Sequence, residues 1–167
     1  MTSEAWAFPN VRGRDLMGNE YRLPEEFPAT VSVAVIAFKR WHQSEVDAWI
    51  TRLAQEGIPD TPFGQVDLQR VVLEIPVLSG RYQMARRFID GGMAASIRDP
   101  NVLARTITVY GSVDAVCVPL GITTRENVSV RVVTRDGNVA WGATGAVNDA
   151  DVAALLATLV RLDKLRA

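Results

Sequence analysis

The chain has 167 residues, 48% of them hydrophobic, and its length fits one domain of the usual roughly 100–200 residues. Lys and Arg total 18 against 19 Asp and Glu, a formal charge of -1 that lacks the basic excess of a dedicated nucleic-acid binder. The single Cys and single His exclude an intramolecular disulfide, a dithiol redox motif and a multi-histidine metal centre.

Met1 to Pro9 shows neither a basic n-region nor an apolar h-region, so no secretory signal is expected there. The longest apolar stretch, Val31 to Phe38, is far short of the roughly 20 residues that span a bilayer. These features set the expectation of one soluble, cytoplasmic domain over residues 1–167, with no membrane and no nucleic-acid partner.

In chain order, Gly18-Asn19 with Leu16 before it and Tyr21 and Leu23 after it predicts a small hairpin over 13–23. Val31 to Phe38 is a β-branched run without strict alternation, the pattern of a strand buried on both faces. Ser44 to Glu56 carries Val46, Trp49, Ile50 and Leu53 at helical spacing and stops at Gly57, with Ser44 as the expected N-cap. Val71 to Leu78 reads as another strand, and Pro76, which donates no hydrogen bond, predicts a sheet edge for it. Arg81 to Ile97 is helical by period, broken at Gly91-Gly92. A strand is expected over Thr106 to Tyr110 and a short helix over Val113 to Leu120. Val128 to Thr134 and Val139 to Ala143 flank Asp136-Gly137, a strong antiparallel hairpin signal. The last helix runs from Asp149 to Leu165 with Asn148 as cap. Together these predict an α/β sandwich: a central mixed sheet with helices on both faces.

Several segments resemble the thioredoxin-like superfamily over roughly residues 13–165, with a core from 31 to 165. Asp15 to Pro24 is similar to the N-terminal hairpin of its peroxiredoxin and alkyl hydroperoxide reductase branch. Val31 to Trp41 followed by a helix resembles the strand and loop that carry the redox cysteines. Leu120-Gly121-Ile122, the Asp136-Gly137 hairpin and Gly145 resemble the C-terminal half, and Phe38 to Trp41 is similar to thioredoxin-like ATP-synthase assembly factors. The resemblance implies a thioredoxin-like three-layer sandwich.

The departures decide what chemistry it implies. Where the family carries Trp-Cys-x-x-Cys, this chain reads Trp41-His42-Gln43-Ser44-Glu45, so His42 and Glu45 stand in place of the cysteines. Dithiol exchange needs one thiolate to attack and a second thiol to resolve the mixed disulfide, and neither is there. The family's cis-proline loop reads Thr123-Thr124-Arg125-Glu126-Asn127, without proline. Cys117, in the apolar run Ala115 to Pro119, is expected to be a small core hydrophobe.

Two functions follow as expectations. The first is a redox-inactive protein that binds a protein or peptide in an assembly role, through a cleft of Lys39, Arg40, Trp41, His42, Gln43, Thr124 and Arg125. The alternative is a non-redox enzyme using His42 and Glu45 as acid and base, with Arg40 or Arg125 holding an anionic substrate. For His42 itself the bland reading is a surface residue, with Glu45 favouring the helix dipole; Trp41 is read as a core or cleft-wall aromatic. His42 and Arg125 are expected to be spatial neighbours, in a notch that binds an anion weakly because Glu45 and Glu126 oppose it. No metal and no cofactor is expected, and oligomeric state is left open.

Overall fold

The computed structural model describes residues 5–62, 68–79 and 99–166. Its strands are β1 (Val11–Asp15), β2 (Glu20–Leu23), β3 (Val31–Ala37), β4 (Arg70–Ser79), β5 (Ile107–Gly111), β6 (Ser129–Thr134) and β7 (Val139–Thr144). The helices described are α1 (Gln43–Gln55), α2 (Pro100–Arg105), α3 (Val113–Cys117) and α4 (Asp149–Arg166). The strands form one sheet in the order β2-β1-β5-β4-β3-β6-β7.

The sheet is organised around β3. All seven of its residues are buried, because it pairs in parallel with β4 and antiparallel with β6 while both its faces are covered. Val31, Val33 and Val35 pack with Val46, Trp49, Leu53, Leu155 and Leu159 of α1 and α4. Ala34 and Ile36 face the other layer, with Phe27, Val116, Cys117 and Leu120. Two apolar layers on opposite faces of one sheet give the three-layer α/β sandwich.

The hairpins form for local reasons. Asp15 is buried at the end of β1 and accepts hydrogen bonds from the Met17 and Asn19 amides, the Asn19 side chain and the Tyr21 hydroxyl, which closes the turn to β2. Burial foremost, reinforced by Asp15, pushes the Tyr21 hydroxyl up from its ordinary value. Between β6 and β7, Gly137 takes a φ of 91°, a conformation that L side chains rarely adopt, and its amide returns to the Thr134 carbonyl.

Several expectations are corrected. The hairpin strand begins at Val11, two residues before the predicted 13. Pro76 does not mark an edge, since β4 lies between β3 and β5. The β4–β5 pairing bridges Glu74 to Thr106, breaks off, and resumes at Val77 and Val109. Pro76 falls in that break, where it has no N–H to give. Ser44 is not the N-cap: α1 starts one residue earlier, continuing a 3-10 turn over Arg40–His42 that already holds the Gln43 amide on the Arg40 carbonyl. The predicted helix over 81–97, with Gly91-Gly92, lies outside the described residues. Helix α3 ends at Cys117, short of Leu120. Helix α2 escaped the periodicity search because it is only six residues long, although Asp99-Pro100 carries its start: Asp99 caps the Asn101 amide and Pro100 opens the first turn. Among the described residues, no helix is long and apolar enough to cross a membrane.

Candidate functional site

Strand β3 ends at Ala37 and delivers Phe38 and the Arg40–His42 turn to one end of the sheet. Because β6 runs antiparallel beside β3, with Ser129 opposite Ile36, the loop that precedes β6 arrives at that same end. The topology therefore joins residues 38–42 to residues 123–128.

His42 is the joint. It is buried rather than on the surface, at 2% exposure. Its Nδ1 lies 3.1 Å from the Phe38 amide nitrogen and 3.3 Å from that of Lys39, so it accepts from backbone donors. An accepting Nδ1 leaves the ring hydrogen on Nε2, which donates to the Glu126 carbonyl at 3.2 Å. Both ring nitrogens are thus committed to the backbone, Nδ1 to the preceding turn and Nε2 to a carbonyl 84 positions away. The expected adjacency of the two loops holds, because Glu126 is the next residue after Arg125.

The remaining predicted residues divide around this joint. Arg125 is exposed and forms an ion pair with Asp114 of α3. Thr124 is half-buried, and its hydroxyl accepts from the Glu126 amide. Gln43 is exposed and donates to Asp47 at 2.9 Å. Glu45 is half-buried, with Oε2 shielded and unpartnered among the described residues. Trp41 is not a core aromatic: 67% of it is exposed, and Lys39 Nζ sits 5.8 Å from its ring centroid. Arg40 is exposed and makes no ion pair among the described residues. The site therefore offers an exposed indole, Lys39 against its ring, and the exposed Arg40, on a backbone pinned from below.

Two buried charged residues, Glu74 and Arg131, escaped the sequence reading. Glu74, in the middle of β4, is 4% exposed beneath the first turn of α1. Burial raises its carboxyl above the ordinary value, and Asp47 adds to this; Gln43, Arg105 and Thr106 pull the other way. Arg131 of β6 is 2% exposed and donates to the carbonyls of Leu120, Val130 and Ala143, with its guanidinium 4.8 Å from the Trp6 ring. Desolvation pushes it down to about 10. The only available signal for both was a charged residue inside an apolar strand run, which marks burial without saying what satisfies it. Cys117 is buried beside Arg131; burial pushes its thiol up and Arg131 offsets part of that, the opposite of an activated thiolate.

Glu74 gives a pH prediction. A carboxyl whose folded value is raised contributes stability below its unfolded value, about 4.3 for Glu, and loses it as pH rises through the folded value. Glu74→Gln is therefore expected to raise the Tm relative to wild type by an amount that grows across that window. Thermal melts of the two proteins at matched pH between acid and neutral conditions check it. A Tm difference independent of pH would contradict it.

No family model matches the chain, and no curated protein is similar to it in sequence. Solved structures do match. BsSco, a member of the Sco family of cytochrome c oxidase assembly proteins, aligns over 92% of both chains with a TM-score of 0.57 and 9% identity. The exposed lipoprotein thioredoxin of Streptococcus pneumoniae aligns over 90% of this chain and 97% of its own, with a TM-score of 0.55 and 12% identity. The fold is thioredoxin-like. At these identities the likeness extends to the fold alone. Within this fold, the Arg40–His42 turn occupies the loop after β3, and the chain's one cysteine lies elsewhere, at the end of α3.

Proposed function

We propose that this chain is a redox-inactive thioredoxin-fold protein that binds a protein or peptide partner, in an assembly role. Its contact surface is the edge formed by Lys39, Arg40, Trp41 and Gln43 with the Thr124–Arg125 loop. Within the fold, the β1–β2 hairpin and the run into β3 favour the peroxiredoxin-like branch. The observation that carries the reading is Trp41, a large aromatic held 67% exposed beside a buried, hydrogen-bonded His42. An exposed Trp flanked by cations is the kind of residue that dominates protein interfaces, because burying its indole on binding removes a large apolar surface from water. The acid–base alternative at His42 has no free ring nitrogen in this arrangement. A cytoplasmic location belongs to the same proposal and fits a chain whose one cysteine is a free, buried thiol.

The test has a redox arm and a binding arm. Insulin reduction by dithiothreitol is expected to run no faster with the protein than without it. An acceleration abolished by Cys117→Ser would overturn redox inactivity. In capture from native lysate, Trp41→Ala is expected to lose species that wild type retains while leaving the fold unchanged by circular dichroism. Identical capture by the two proteins would remove Trp41 from the binding surface.

A further inference from the structure

A second polar constellation lies on the sheet face formed by β2, β1 and β5, built from residues the proposed binding edge does not use. Pairing register sets it out. Arg14 of β1 stands opposite Glu20 of β2 on one side and Thr108 of β5 on the other. Arg12, two residues before Arg14, projects from the same face at a spacing of about 6.6 Å along the strand. Gly13 between them turns into the core, against Ile107 and Leu23. Arg12, Arg14, Glu20, Thr108 and Tyr110 line a concavity of about 460 Å³, within the range of small-molecule sites.

Two polar atoms in this concavity, Arg14 Nε and Thr108 Oγ1, are left unmatched. Among the described residues, neither Arg12 nor Arg14 makes an ion pair, and the shielded Nε of Arg14 has no hydrogen-bond partner. Thr108 is 2% exposed, lines the concavity, and its hydroxyl is also unpartnered. A buried hydroxyl without a partner normally costs free energy, so its retention next to two guanidinium groups calls for an acceptor. Among the described lining residues Glu20 is the one negative charge, and it already has an interaction of its own.

We propose that this concavity is a binding site for the phosphoryl group of a small phosphorylated molecule. Two guanidinium groups spaced along one strand match the charge of a phosphate monoester, about −1.5 to −2 at neutral pH, and can each bond two of its oxygens. The Thr108 hydroxyl donates to a third. The remaining volume accommodates the organic part, against the Tyr110 side of the site.

The test is an amide NMR titration with inorganic phosphate at constant ionic strength, repeated with acetate, on wild type, Arg14→Gln, Thr108→Val, Thr108→Ser and Lys164→Gln. Saturable shifts centred on residues 11–14 and 108–110 are expected with phosphate. Arg14→Gln should weaken binding by about tenfold or more, the scale of one charge-assisted hydrogen bond. Thr108→Val should weaken it while Thr108→Ser and Lys164→Gln do not. No saturable shift, or shifts indifferent to Arg14 and Thr108, would overturn the site. Acetate binding as tightly as phosphate would overturn the phosphoryl assignment in favour of a carboxylate.

Discussion

Trp49→Ala is expected to lower folding stability by about 3–5 kcal/mol, the range for truncating a large buried aromatic. Trp49 is fully buried and sits in the α1 stripe between Val46 and Leu53, against the valines of β3. Its indole also donates to the Gly145 carbonyl at 2.9 Å, tying α1 to the junction between β7 and α4. The truncation therefore leaves both a cavity and an unpaired carbonyl. Urea denaturation of wild type and variant measures the loss. Trp49→Phe separates the parts, restoring most of the apolar volume but not the hydrogen bond, and should recover more than half of it. A loss below roughly 1 kcal/mol in the alanine variant would contradict the packing described for α1.

His42→Ala is expected to cost about 2–4 kcal/mol, from partly buried backbone groups left unpaired at about 1–3 kcal/mol each after relaxation. The groups are the amides of Phe38 and Lys39 and the carbonyl of Glu126. The distinguishing readout is local. Amide hydrogen exchange should accelerate at Phe38 and Lys39 and through residues 123–128, more than in the centre of β3. An exchange increase spread evenly over the sheet would assign His42 to general core packing and not to the joint between the two loops.

Much of the fold was legible in the chain itself. The Val- and Ile-rich run over Val31 to Ala37, without polar alternation, fits burial on both faces in the interior of a sheet. The Trp49 stripe gave the phase of α1 because a 3.6-residue period has one apolar side, and Gly137 marked the last hairpin because the turn needs a positive φ. Each signal is local, carried by the backbone preference or the spacing of neighbouring residues. Pro76 misled for the same reason. A missing N–H is a local fact, whereas whether the sheet tolerates it depends on a gap in the β4–β5 ladder that only the neighbouring strand supplies.

The site was legible as a place and not as a chemistry. Sequence alone put His42 and the Arg125 loop side by side, since that adjacency follows from strand order. It could not say that His42 is buried and that both its nitrogens bond backbone, Nε2 to a carbonyl 84 residues away, nor that Asp114 takes Arg125 while Trp41 is left in solvent. Nor could it show that Thr108 and Arg14 stand opposite one another across β5 and β1. Composition and periodicity determined which segments fold and which faces they hide, because burial of apolar surface depends on residue type and spacing. The partners of the polar groups were decided only in three dimensions, because a hydrogen bond or ion pair depends on atoms that distant parts of the chain bring within about 3 Å.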